Sequence, residues 1–172
     1  FSNAGNYVAS MGGVVINANN TVANSKVVIN GGTFNPAEGC VAYEVKDVEA
    51  GRVELNTAAK VGNQYYISIE SAIASAAAGS TVTMLKDINV ANAVKVAKTL
   101  TIDMNGKTLT STAGRAINVS GADGVTIKNL TIDAKGERAI NVIQNATNVT
   151  IDNVTATAAN YTVNVATSAP NA

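Results

Sequence analysis

The C-terminal half of the chain repeats short blocks in which apolar and polar residues alternate. Ala-Ile-Asn-Val occurs at 116–119 and again at 139–142, and Thr-Val-Asn-Val follows at 162–165, so the spacing is 23 residues each time. A Thr-Ile pair recurs beside these blocks with spacings of 25 and 24 residues. Alternation with a period of two predicts short β-strands, and β-rich blocks at such a fixed period are typical of a solenoid.

Each period contains three of these predicted strands, which read Ala-Ile-Asn-Val, Gly-Val-Thr-Ile and Leu-Thr-Ile in the second repeat. One asparagine separates the second strand from the third in successive repeats, at Asn105, Asn129 and Asn153. Asparagine tolerates a left-handed backbone and can hydrogen-bond along a stack of identical turns. The pattern therefore predicts an all-β fold, a right-handed parallel β-helix with three strands per coil and these asparagines in one bend.

The alternation also predicts which side chains of the first strand face the interior. Two interior columns are expected: Ile117, Ile140 and Val163 in one, and Val119, Val142 and Val165 in the other. The polar residue between each pair then faces outward, because successive side chains of a strand point to opposite faces.

Upstream of the repeats, residues 68–79 place small apolar residues at the spacing of an amphipathic helix. Ser68 is the predicted N-cap, and Gly79 is the predicted residue just beyond the C-terminus. The first coil of a solenoid would otherwise expose its core and its unpaired strand edges. We therefore expect this helix to cap the first coil.

The N-terminal third differs from the repeats. Val-Val-Ile-Asn occurs at 14–17 and 27–30, which fits the last strands of a preceding solenoid. Two hairpins are predicted after it, one joining 41–45 to 52–56 and one turning at Gly62–Asn63. The predicted organisation is a β-rich connector at 1–57, a hairpin and capping helix at 58–79, and β-helix coils at 80–172. The first ten residues, FSNAGNYVAS, resemble an internal stretch of a protein, so we expect the chain to be an excised piece of a longer protein.

Composition narrows the function. Lys and Arg total 12, as do Asp and Glu, so the net charge is zero and no basic excess is present for nucleic acid. The chain has no histidine, and its one cysteine, Cys40, is expected to be a small apolar filler. These absences exclude histidine-dependent catalysis and thiolate zinc clusters. No apolar run is long enough to span a membrane, so no membrane insertion is expected.

Two segments resemble a known family. AKVGNQYYISIESAIASAAAGSTVTMLKDINV, continued by KTLTIDMNGKTLT, resembles the first module of pectate-lyase-like β-helix domains in large bacterial surface proteins, notably those of gut commensals. VVINGGTFN resembles the repeat that precedes such modules, and the resemblance covers most of residues 27–165. It implies a modular protein exported to the cell surface, with an extracellular, glycan-facing or adhesive role. Such folds host lyases, hydrolases and inert spacers alike.

One column of charge is the first candidate for chemistry. Asp103, Lys128 and Asp152 follow the isoleucine of the second strand in successive coils and would stack as an alternating ladder. They could form a cation site or an acid–base pair, or a surface ladder whose contacts are worth roughly 0–1 kcal/mol each. A calcium site needs several converging carboxylates, so we predict the surface ladder, with no metal site and no catalytic residue.

Two further columns are candidates for ligand binding. Arg115, Arg138 and Tyr161 come just before the first strand of successive coils and could form a shallow glycan-contact strip. The alternative, which we favour, is that they are solvated flanking residues whose stems cover the edge of the coil. The outward positions of the same strand form the second column, Asn118, Asn141 and Asn164. Their amides could bond sugar hydroxyls, and a stacked amide ladder is equally a structural device.

The sequence therefore predicts a structural or display segment of an extracellular bacterial surface protein, which is not an enzyme and carries no cofactor. Alternative hypotheses are a carbohydrate-binding or adhesive module, a non-catalytic fragment of a polysaccharide lyase or hydrolase, or a phage fibre. Expected partners are glycans or host surface proteins and neighbouring solenoid domains of the same polypeptide.

Overall fold

A computed structural model describes residues 14–19, 41–46 and 57–166. The chain divides into two compact units, residues 1–75 and 76–172. The predicted division into residues 1–57, 58–79 and 80–172 is finer than these two units and stays a prediction. Within the described ranges the secondary structure is fourteen strands and one short helix, so the predicted all-β class is confirmed.

The first unit contains four strands. β1 (Val14–Asn19) pairs with β2 (Val41–Lys46) in parallel, and β2 pairs antiparallel with β4 (Gln64–Tyr66). β3 (Ala59–Val61) and β4 form the predicted hairpin, and Gly62 in its turn has a φ of 57° that favours glycine. The predicted strands at 27–30 and 52–56, and Cys40, lie outside the described residues.

Helix α1 (Ile69–Ser75) follows the hairpin and packs against β3 and β4. Ser68 is its N-cap as predicted, because its Oγ accepts a hydrogen bond from the backbone N–H of Ser71 at 3.1 Å. The predicted role of Gly79 is wrong, since the helix ends at Ser75. Gly79 instead donates its N–H to Thr99 O at 2.8 Å, so the backbone there is used for pairing with the next coil. The role of the helix as a cap stays a prediction.

The second unit is a right-handed parallel β-helix of about four turns. Its strands form three faces. Face 1 contains β7 (Val94–Val96), β10 (Arg115–Ser120), β12 (Arg138–Ile143) and β14 (Tyr161–Val165). Face 2 contains β5 (Thr81–Met84), β8 (Thr101–Asp103) and the first parts of β11 (Thr126–Ala134) and β13 (Thr150–Thr157). Face 3 contains β6 (Ile88–Val90), β9 (Thr108–Ser111) and the later parts of β11 and β13.

Neighbouring strands on all three faces pair in parallel, which confirms three strands per coil. On face 1 the register follows the predicted spacing, because Ile117 pairs with Ile140 and Ile140 with Val163. The first predicted interior column is extended upstream by Val94, which pairs with Ile117 and is fully buried.

Burial of the interior columns depends on the coil. Ile117 and Ile140 are at most 1% exposed, and each buried side chain of this size contributes roughly 1.5–3 kcal/mol to stability. Val163 and Val165 keep the predicted register but are 42% and 53% exposed. The expectation that these two valines are interior is therefore wrong, because β14 is at the edge of its sheet among the described strands and pairs there with β12 alone.

Candidate functional site

The register of face 1 brings together all six residues predicted to bind a ligand. They form two columns of three: Arg115, Arg138 and Tyr161 in one, and Asn118, Asn141 and Asn164 in the other. The first column lies at the first residue of strands β10, β12 and β14, and the amide column lies three residues further along each strand.

The three asparagines of face 1 form a ladder of side-chain hydrogen bonds. Asn164 Nδ2 donates to Asn141 Oδ1 at 2.8 Å, and Asn141 Nδ2 donates to Asn118 Oδ1 at 2.9 Å. The central amide, Asn141, is 1% exposed and the two outer amides are half-buried, so the three side chains bond mainly to one another. A ligand could contact the two ends of this ladder, Asn118 and Asn164.

The second column is tied into this ladder. Arg138 Nη1 donates to Asn141 Oδ1 at 3.3 Å, and its guanidinium carbon lies 5.7 Å from the centre of the Tyr161 ring, within the range of a cation–π contact. Arg138 Nε is buried without a hydrogen-bond partner in the described part of the chain. Tyr161 is 52% exposed and Arg115 is exposed, so these two side chains are the accessible part of the column.

The charge column on face 2 also follows the predicted register, with Asp103 paired to Lys128 and Lys128 to Asp152. Lys128 Nζ lies 3.4 Å from Asp103 Oδ2 in an ion pair. Partial burial of Asp103 opposes its ionisation. Hydrogen bonds from the Asn129 side chain and the Asn105 backbone, with the charge of Lys128, outweigh that burial and hold the pKa of Asp103 below its ordinary value.

The bend between faces 2 and 3 contains the predicted asparagines, and all three have a left-handed backbone with φ between 50° and 54°. Asn153 Nδ2 donates to Asn129 Oδ1 at 3.0 Å, as expected of a ladder. Asn105 does not continue it. Asn129 Nδ2 donates to Asp103 Oδ1 instead, and the Asn105 side chain reaches Met84 O at 3.5 Å.

The extra length of the earlier bend explains this correction. Four residues, 104–107, separate the paired positions of β8 and β9, whereas two residues, Asn129 and Leu130, separate the matching positions of β11. The longer bend moves the Asn105 side chain out of line. It also directs the side chain of Met104 towards the core, where it is fully buried.

One polar cluster was missed by the sequence analysis. Asp123 Oδ1, in the turn from face 1 to face 2, accepts hydrogen bonds from Thr147 Oγ1 at 2.6 Å and from Asn148 Nδ2 at 2.8 Å. These bonds, led by the one from Thr147, lower the pKa of Asp123. A repeat in the sequence could have revealed this cluster. Asp123 and Thr147 are 24 residues apart, and each lies two residues before a Val-Thr-Ile, at 125–127 and 149–151.

Within the described ranges, no group of three or more Cys, Asp or Glu side chains is placed to hold a metal ion. The one described helix is too short to cross a bilayer. Comparison of the chain with protein-family models, with curated proteins and with solved structures finds no match. The structure establishes the β-helix, and no family match supports the finer resemblance to pectate-lyase-like surface domains.

Proposed function

We propose that the chain is a structural β-solenoid segment of a modular bacterial surface protein, and that it spaces or displays other domains outside the cell. The observation that supports this most strongly is the use of the polar columns. Amide, carboxylate and hydroxyl groups that could have formed a site are bonded to the next coil, as in the face 1 ladder and the Asp123 cluster.

The electrostatics of the charge column favour the same role. Proton abstraction near neutral pH needs a base whose pKa lies close to the working pH. The pKa of Asp103 is lowered rather than raised, and its ion pair with Lys128 occupies both groups. We infer that this column stabilises the stack and performs no acid–base chemistry.

An assay with polysaccharides tests the proposal. The chain is incubated with polygalacturonate, alginate and mucin glycans, with and without calcium, and unsaturated and reducing ends are measured. We expect no product above a blank without protein. Product that disappears in Lys128→Ala but persists in Lys135→Ala would contradict the proposal. Lys135 is the matched control because it also pairs with an aspartate, Asp133, at 2.7 Å on the surface.

A second function, carbohydrate binding, is favoured by the exposed Tyr161 ring beside the Arg138 guanidinium. A half-exposed aromatic ring can stack on a sugar, and a neighbouring cation can bond its hydroxyl or carboxylate groups. A glycan array separates the two functions. Binding that is lost in Tyr161→Ala and kept in Tyr65→Ala would favour the carbohydrate-binding module, and an array without signal would favour the structural segment.

A further inference from the structure

The described strands of face 1 carry only positive charge. They contain three charged residues and no Asp or Glu: Lys95, Arg115 and Arg138. The described strands of faces 2 and 3 contain four charged residues, three of them acidic: Asp103, Lys128, Asp133 and Asp152. Because the whole chain has equal numbers of basic and acidic residues, this separation gives face 1 a positive potential that favours an anionic ligand.

Two of these cations lie opposite each other on neighbouring coils. Arg115 of β10 pairs in register with Arg138 of β12, and like charges directly opposite each other on paired strands are destabilising. Neither arginine forms an ion pair within the described part of the chain, although Glu137 directly precedes Arg138. The charge column of face 2 alternates in sign instead. The arginine pair therefore lacks the neutralising partner that the other column has.

Both arginines have donors to offer a ligand. Arg115 is exposed, and its side chain forms no hydrogen bond with another described residue. Arg138 uses Nη1 for Asn141, while its Nε is buried without a hydrogen-bond partner among the described residues. A buried donor without a partner is costly and calls for a water or an ion. The described strands β7 and β14 flank β10 and β12, so the pair lies inside the sheet and not at its edge.

The number of donors indicates the kind of anion. A carboxylate has two oxygens, which a single guanidinium group can bind in a bidentate manner. Two guanidinium groups on neighbouring strands, whose backbones lie about 4.8 Å apart, can share an anion that has more oxygens. A sulfate or phosphate ester presents three terminal oxygens in a tetrahedral arrangement, so it can accept hydrogen bonds from both arginines at once.

We propose that face 1 binds a glycan through a tetrahedral oxyanion, a sulfate or phosphate ester, held between Arg115 and Arg138. Lys95 is exposed on the preceding coil and attracts a further negative group of the same glycan. The inference rests on carbohydrate binding, the second function proposed above, and names the class of glycan. The structural function does not depend on it.

Calorimetric titration of the whole chain with maltohexaose and its sulfated, phosphorylated and oxidised derivatives tests the proposal on one sugar backbone. The oxidised derivative carries carboxylates in place of the esters. We expect a sulfated or phosphorylated derivative to bind at least about tenfold more tightly than the unmodified and oxidised ones, with an affinity that falls as salt is added. The tighter of the two esters identifies the anion. Inorganic sulfate and phosphate, titrated separately, should bind more weakly than the ester.

Arg115→Gln should lower the affinity for the ester by at least about tenfold, because it removes a charged donor group. Its free energy of unfolding should be unchanged or raised, because one of two opposed like charges is gone. Lys107→Gln is the matched control. Lys107 lies in the bend between faces 2 and 3, so this variant loses the same charge away from face 1 and should bind like the native chain.

The possible failures are distinguishable. Equal affinity for the unmodified and esterified oligosaccharides would overturn this inference and leave carbohydrate binding in place, whereas no binding of any oligosaccharide would overturn both. Tighter binding of the oxidised derivative would indicate a carboxylate site, and inorganic sulfate or phosphate binding as tightly as the ester would indicate a simple anion site. Equal effects of Arg115→Gln and Lys107→Gln on affinity would exclude the arginine pair as the site.

Discussion

At the scale of single residues, asparagine performs two separate tasks in this chain. In the bend between faces 2 and 3, Asn129 and Asn153 adopt a left-handed backbone and also bond to each other through their side chains. On face 1, Asn118 and Asn141 are in extended strands and contribute the side-chain bond alone. A residue that is short, polar and tolerant of positive φ fits both settings.

Asp103 gives the stack a dependence on pH at the acid end. Because its pKa is lower in the folded chain than its ordinary value of 3.8, the unfolded chain binds more protons between those two values. The stabilisation is fully present above the ordinary pKa and is lost as the pH falls through the folded pKa. We expect the free energy of unfolding of Asp103→Asn to approach that of the native chain in acid and to fall below it towards neutral pH.

Chemical denaturation at a series of pH values measures this difference. Asparagine keeps an oxygen that can accept the bonds from the Asn129 side chain and the Asn105 backbone, so the substitution removes mainly the charge. If the free energies of unfolding of the native chain and Asp103→Asn differ by the same amount at every pH from neutral to acid, ionisation of Asp103 does not contribute to stability.

At the scale of elements, the strands could be predicted from sequence better than the segments between them. Apolar residues at 117 and 140 repeat because each covers its neighbour, so alternation and period were sufficient to predict the columns. The end of α1 and the partner of Asn105 could not be predicted in this way. The backbone N–H of Gly79 bonds to Thr99 O, and the bend that contains Asn105 has two extra residues; neither feature leaves a periodic signal in the sequence.

The turn between β11 and β12 has the tightest backbone approach among the described glycines. A Cβ added to Gly136 would lie 2.1 Å from Ala113 O and 2.7 Å from Gly114 Cα, in the neighbouring coil. Both partners are main-chain atoms that cannot move without displacing the coil. We expect Gly136→Ala to lower the free energy of unfolding by about 1–3 kcal/mol.

Gly114→Ala is the matched control for this prediction. A Cβ at Gly114 has no atom within 4 Å, and neither glycine has a left-handed φ, so the two substitutions differ mainly in steric contact. The control should change the free energy of unfolding by no more than about 0.5 kcal/mol. Equal losses in both variants, measured by urea denaturation, would mean that the close approach at Gly136 does not limit stability.

At the scale of the whole molecule, the β-helix keeps its order because apolar columns inside and polar columns outside follow the same repeat. The interior columns are covered within the stack and open at the last described coil, where Ile151 is 36% exposed. Sequence periodicity could predict the columns but not the exposure, since it does not show which coil is covered. The predicted ligand-binding residues are adjacent in the structure, and their binding role remains a prediction.

The central claim is that the polar columns hold neighbouring coils together, and a double-mutant cycle on the face 1 ladder tests it most directly. The free energy of unfolding is measured for the native chain, Asn118→Ala, Asn141→Ala and the double variant. We expect a coupling energy of about 0.5–1.5 kcal/mol between the two asparagines, as for a part-buried hydrogen bond between amides. Strictly additive losses would contradict the account, because the two amides would then contribute nothing to each other across the coils.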